Sequence, residues 1–295
     1  MAGQSRVAVR QPAVAGLFYP AADDQCRSAA QRMISANSGA SDVAWMGGVV
    51  PHAGWVCSGA IAGEVIGTIA ARSTPDVVVI FGAVHTPIEL DRAVLSSFGQ
   101  WHVPGGVSDV PADLAIEVRS SSPLFVVDDR FHLREHAVEV ELPLIQRAWP
   151  RAKLLPIEVP LWQDAQQIGE RTAKAVMARG QKAVYLASSD LTHYGPAYHF
   201  TPMGVGMDAL KWAKENDRRL LTAIEQLKTE QIVPEVRERM NACGGGAIAA
   251  MLAACQLSGA TQAKVLRHAN SYETLQAVHP QRPDNAVGYA GVVVG

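Results

Sequence analysis

Three short apolar runs in this chain each stop abruptly at a cluster of small and polar residues. Residues 43–50 run into Pro51-His52-Ala53-Gly54, residues 76–81 deliver the chain to Gly82-Ala83-Val84-His85, and residues 183–187 end at Ser188-Ser189-Asp190-Leu191-Thr192-His193. Apolar, β-branched runs of this length predict strands buried on both faces. Between and beyond them the spacing of apolar positions lengthens to that of helices. It predicts helices over residues 23–36, 58–71, 111–120, 138–149 and 164–179, two more after Gly206, and a short one over 244–257. A strand is expected at 153–159, a hairpin region at 93–106, and a closing pair of strands at 264–268 and 288–294. The Asn-Ser-Gly-Ala-Ser-Asp run from Asn37 is expected to end the first helix.

Strands alternating with helices predict an α/β protein: a central mixed, mostly parallel sheet with helices on both faces. No segment has the composition of a linker, and no repeat of solenoid period or low-complexity tract is found, so residues 1–295 read as one domain. In such folds ligands bind outside the carboxyl ends of the strands. His52, His85 and Asp190 all stand there, which predicts that they converge, although the sequence does not say which strands are neighbours.

Composition removes several classes of function. Hydrophobic residues make up 48% of the chain and charged residues 18%, enough apolar material for a core and too little charge for a disordered chain. With a net charge of -2 and no basic run, neither nucleic acid nor an anionic membrane is an expected partner. The first twenty residues lack a signal-peptide core, and no stretch of about eighteen apolar residues occurs, so a cytoplasmic location is expected. Cys26, Cys57, Cys243 and Cys255 show no framework spacing and are expected as free thiols.

Neutral imidazole and thiolate are donors for divalent transition metals, and rigid strand ends hold them well. A lone histidine after a strand is more often a hydrogen-bonded loop residue; two such residues strengthen each other. Asp190 and His193, three apart, could share one side of a turn where a carboxylate orients an imidazole, or Asp190 could simply cap the turn. Cys243 precedes Gly244-Gly245-Gly246 and an apolar helix, a position favouring thiolate, although a buried small-residue helix is an equally ordinary reading of that segment. Three glycines at a helix start cost backbone entropy, which predicts that the backbone there approaches something closely. Glu135-His136 could supply an acid or base at the pocket mouth. His102, His132, His199, His268 and His279 have no partner at useful spacing and are expected to be surface or structural.

Taken together, RQPAVAGLFYP (10–20), PHAGWVCSGAIA (51–62), FGAVHTP (81–87), EHAVEVELPLIQ (135–146), SSDLTHYG (188–195), ACGGGAIAAML (242–252), SYETLQ (271–276) and GYAG (288–291) resemble the Memo family, also called AmmeMemoRadiSam system protein B. The resemblance covers nearly the whole chain in order. It implies a fold related to the class III extradiol dioxygenases, non-haem iron enzymes that open catechol rings. It implies His52, His85 and Cys243 as metal ligands, Asp190 and His193 as pocket lining, and His136 as a substrate-side histidine. It also implies a pathway link to radical-SAM and AMMECR1-like proteins.

Two departures from the family pattern stand out. Thr86 replaces a histidine usual after the position of His85, and Gly245 stands where many members carry an arginine able to hold an anionic substrate group. Cys243 itself occupies the place of the dioxygenases' carboxylate, which softens the site toward copper or zinc as well as Fe(II). The expected activity is an iron-dependent oxidoreductase acting on a small molecule or peptide, with His193, oriented by Asp190, moving protons and His136 assisting. The alternatives are a metal-binding or peptide-binding module without catalysis, and a hydrolase with Cys243 as nucleophile and His193 as base.

Overall fold

The computed structural model describes residues 7–35, 43–280 and 282–295. The turn run expected from Asn37 lies outside the described residues. In chain order the strands are β1 (Val9–Arg10), β2 (Gly47–Val50), β3 (Val77–Gly82), β4 (Ala93–Leu95), β5 (Gln100–Val103), β6 (Gly106–Asp109), β7 (Phe125–Val127), β8 (Lys153–Glu158), β9 (Ala183–Ser188), β10 (His193–Tyr194), β11 (Ala263–Asn270) and β12 (Ala286–Val294). The helices are α1 (Asp23–Ser35), α2 (Trp55–Ala70), α3 (Ala112–Ser120), α4 (Leu142–Ala148), α5 (Ala165–Ala178), α6 (Met207–Glu225), α7 (Thr229–Arg239), α8 (Gly245–Leu257) and α9 (Ser271–Leu275).

A large mixed sheet runs in the order β10-β12-β2-β9-β3-β8-β4-β7, with β11 also paired to β12. Its middle, β2-β9-β3-β8, is parallel throughout, while β12 joins β2 and β4 joins β8 antiparallel. The side chains of β3 show why the run is apolar at every position. Val77, Val79 and Phe81 enter one core with Ile168 of α5 and Ile248 of α8, and Val78 and Ile80 enter another with Ile66 of α2 and Leu144 of α4. Successive strand residues point to opposite faces, so a strand covered on both sides can be apolar without alternation. Helix α8 is buried along its length except near its end, and its small residues serve contact: a Cβ at Gly169 of α5 would lie 1.8 Å from the Ala250 carbonyl oxygen of α8.

The parallel register sets the site. Gly82 of β3 and Val50 of β2 both pair with Ser188 of β9, so the carboxyl ends of these three strands lie side by side. His52, His85 and Asp190 therefore leave adjacent strands within two or three residues of their ends. Among the described residues no helix is long and apolar enough to cross a membrane.

Elsewhere the expected elements shift. The region 93–106 does not form one hairpin. Ala93, Val94 and Leu95 are fully apolar and buried, and they join the large sheet as β4. The hairpin comes later, as β5 and β6, turning at Gly105 with φ +102° and extending a separate three-stranded sheet with β1. The helix expected over 138–149 opens as a tight 3-10 turn at Glu139–Glu141 and becomes α-helical only at Leu142. Pro143, lacking an N–H, fits that first α-helical turn. The strand expected from Val43 begins only at Gly47, and the short β1, β7, β10 and α9 had no pattern long enough to announce them.

A buried ion pair fastens the amino-terminal segment to the loop that approaches the site. The Arg10 guanidinium pairs with Glu139, donates to the carbonyls of His132 (3.0 and 3.1 Å) and Glu135 (2.7 Å), and stacks over Trp101. The Glu139 carboxylate also accepts the amides of Ala13 and Val14 and the Tyr19 hydroxyl, at 2.7–2.9 Å. Both side chains are completely buried, so removing one leaves an uncompensated charge. Arg10→Met is expected to cost roughly 3–5 kcal/mol of stability, read as a lowered urea midpoint with unchanged slope. A loss below about 0.5 kcal/mol would show that the network fastens nothing.

Candidate metal centre

At the carboxyl end of the parallel strands, one donor atom from each of His52, His85 and Cys243 lies within 4.8 Å of the others. The Cys243 Sγ is 3.3 Å from His52 Nε2, and the His52 and His85 rings meet edge to face at 5.1 Å between centroids. His52 is buried, whereas His85 is exposed and Cys243 partly so. That set can hold a metal with one side accessible.

Hydrogen bonds fix which nitrogen of each imidazole is free. The Ser188 hydroxyl donates to the Ala137 carbonyl at 2.6 Å, so its oxygen accepts from His52 Nδ1 at 2.8 Å. The lone pair of His52 is then on Nε2, facing the sulfur. Glu135 does the same for His85: Oε1 accepts from the ring Nδ1 at 2.9 Å and Oε2 from the His85 amide at 2.7 Å. Carboxylate or hydroxyl on the far nitrogen is the usual support of a ligating imidazole. The donor chemistry and tautomers thus suit a borderline or soft divalent metal.

Glu135 is almost fully buried, and burial alone would raise its carboxyl. The His136 and His85 rings and the amides of His85, His136 and Ala137 overcome this and hold it well below the usual carboxylate range. Burial, reinforced by the neighbouring His136 and His85, keeps His52 neutral. His85 behaves oppositely: burial works against its charged form, but Cys243 and Glu135 beside it prevail and push it up to about 10. Without metal, a proton therefore occupies the site where metal would bind.

His136 packs against both other imidazoles, 5.1 Å from His52 and 4.6 Å from His85 between centroids, with Phe18 on its outer side. Its donor atom also falls within 4.8 Å of those of His85 and Glu135. Asp190 takes the structural alternative. Its Oδ1 accepts the His52 amide at 2.9 Å, and it also receives the Ala53 amide, so it shapes the loop that presents His52. The expected pairing of Asp190 with the His193 ring is absent from the hydrogen bonds of the described residues, because β10 carries His193 outward against Tyr198, 5.1 Å between centroids. Burial, opposed by the two amides, pushes Asp190 up to about 7. Burial and the nearby His85 and His136 lower His193 to about 4, leaving it a neutral base at pH 7.

The triple glycine owes its composition to close approach. A Cβ at Gly244 would lie 2.7 Å from Ser189 Cβ, and one at Gly246 would lie 2.0 Å from the Pro160 carbonyl oxygen. With the Cys243 amide on the Asp190 carbonyl (3.2 Å) and the Gly244 amide on Ser189 Oγ (2.9 Å), the backbone is pressed against the end of β9, and that contact aims the sulfur at His52.

Sequence reasoning missed Ser188 and Ser189 as supports, since serines after a strand have no distinguishing pattern. His132 is structural as expected but not superficial: it is fully buried 3.7 Å from the buried Glu158. His268 bonds Asp217 at 3.1 Å. A cleft of about 870 Å³ lies at the opposite end of the sheet around Asp76, Lys153 and Lys182, away from these donors. A smaller one of about 240 Å³ adjoins Cys243 and His193.

A family model described as Memo-like protein matches residues 10–293. MEMO1 family proteins of Methanosarcina acetivorans and Thermococcus kodakarensis are 34% and 32% identical to this chain, each alignment covering 97% of it and 99% of the relative. Another from Pyrococcus abyssi is 30% identical over the same shares. An uncharacterized protein of Escherichia coli K12, 10% identical, superposes with a TM-score of 0.52 over 98% of this chain and 100% of its own, which supports a related α/β fold.

Metal binding at neutral pH must displace the His85 proton, and a cysteine ligates as thiolate, so affinity is expected to rise at least about tenfold per pH unit below about 10. Zinc titrations in buffers of different ionisation enthalpy check this; proton release below about half per metal at pH 7 contradicts it. Glu135→Gln is expected to weaken zinc binding by about 10–100-fold, read by competition with a chromogenic chelator.

Proposed function

The chain belongs to the Memo-like family, and on that premise we propose that it is an iron-dependent oxidoreductase of the extradiol-dioxygenase type, with His52, His85 and Cys243 as the Fe(II) ligands. The observation that carries the reading is the pair of imidazoles whose Nδ1 atoms are both engaged by partners, so that Nε2 of each is the atom left to meet a metal beside one thiol. Three protein donors on one side leave positions for substrate and O₂. Fe(II) would supply one-electron chemistry with O₂ and polarise a bound hydroxyl.

The chain's own residues do the rest. Ser188 and Glu135 hold the ligand tautomers. His193, neutral at pH 7 and lining the cleft beside Cys243, accepts a proton from the incoming substrate. His136, against both imidazoles and behind Phe18, closes the substrate side. Asp190 positions the His52 loop and acts on the chemistry only through it.

The thiol favours a second reading. Sulfur in place of a carboxylate suits copper or zinc, and a site that merely stores metal or docks a peptide needs nothing more. The Cys243–His52 contact of 3.3 Å also fits a thiol–imidazole pair able to attack a substrate.

One set of measurements separates these. Anaerobically purified protein is expected to retain about one iron per chain and to consume O₂ with small phenols or peptides, and Cys243→Ser to lose at least about tenfold in iron affinity together with O₂ uptake. Iron absent and O₂ untouched would leave the binding module. Iodoacetamide labelling of Cys243 is expected to be slowed by bound metal and restored by a chelator; labelling indifferent to both favours the thiol nucleophile.

A further inference from the structure

The cleft beside Cys243 has an unusual wall. It is lined by Leu161, Val236, Met240, Phe200, Tyr198 and His193, with Cys243 at its inner end, and among the described residues no lysine or arginine lines it. Arg237, next to Val236 on α7, turns its guanidinium to the Leu161 carbonyl at 3.3 Å, and Arg239 pairs with Glu238. His193 contributes no charge at neutral pH.

Gly245 is the residue behind that wall. A Cβ there would lie 2.8 Å from Leu161 Cδ1 and 2.9 Å from both Val236 methyls. Real side chains do not tolerate such contacts, so Leu161 and Val236 have closed over the glycine. A longer side chain at this position could not reach the cleft without displacing them. The space is filled instead by two aliphatic side chains, Val236 buried and Leu161 at the exposed rim.

We propose that Leu161 and Val236, packed over Gly245, together with Met240 make this site selective for a substrate whose body beyond the metal-facing hydroxyl is uncharged. The inference deepens the reading of the site as a metal centre that takes a substrate, and rests on it. A carboxylate at the far end of the ligand would lie against aliphatic and aromatic side chains with no lining cation to receive it, whereas an alkyl group gains by contact with them. The size fits one ring with a short chain: the cleft holds about 240 Å³, and an apolar cavity of about 150 Å³ accepts benzene.

The test compares 4-propylphenol with 3-(4-hydroxyphenyl)propanoate, near-isosteres differing in distal charge. Calorimetric titration uses zinc-loaded protein, in which no redox turnover occurs. 4-Propylphenol is expected to bind at least about tenfold tighter, and Met240→Lys, at a position 57% exposed and able to carry a lysine, to narrow that ratio at least about fivefold. Tighter binding of the carboxylate, equal binding, failure of both ligands to bind at millimolar concentration, or a ratio unmoved by Met240→Lys overturns the proposal. Selective binding in a protein that never consumes O₂ would sink the oxidoreductase reading and leave this one standing; O₂ consumption with a preference for the carboxylate would do the reverse.

Discussion

The insertion of β9 between β2 and β3, in parallel register with both, is the constraint on which the candidate centre depends. Ser188 sits opposite Val50 on one side and Gly82 on the other, so three loops begin at one level of the sheet. From that level His52, His85 and Asp190 need only two or three residues to meet. The same strand end supplies Ser188 for the His52 ring, Ser189 for the Gly244 amide and the Asp190 carbonyl for the Cys243 amide. Cys243 comes from far along the chain, yet it is aimed by contacts with the strand that separates the two histidines.

Buried charge is the second organising cost. Arg10, Glu135 and Glu139 are all removed from water, and each is tolerable only because its hydrogen-bonding capacity is used. Glu135 is met by three amides and the His85 and His136 rings, and Glu139 accepts four donors, counting the Arg10 guanidinium. These bonds tie residues 10–19 and 132–139 into one support beneath His85 and His136. Rigidity of that kind is what a metal site needs, because ligands that must be ordered at the moment of binding lose affinity to conformational entropy.

The centre and its cleft pull toward different chemistries. Two imidazoles presented through Nε2 suit several divalent metals, and a thiol narrows the choice toward softer ones. The adjoining cleft is apolar where an anionic substrate would need a cation.

The sequence by itself determined the buried strands, the helices over both sheet faces, and the polar strand ends at His52, His85 and Asp190. Those are local matters: a strand covered on two sides must be apolar throughout, and a chain leaving such a strand must become polar. It also marked the glycines before α8 as sites of close approach. Only the tertiary structure decided which strands are neighbours, since β9 enters its place about a hundred residues after β3 and nothing local specifies that pairing. The same holds for Asp190, whose carboxylate serves backbone amides rather than His193, and for the split of residues 93–106 between two sheets. A side chain's partner depends on what folding brings to it from elsewhere in the chain, and that information belongs to the packed sheet.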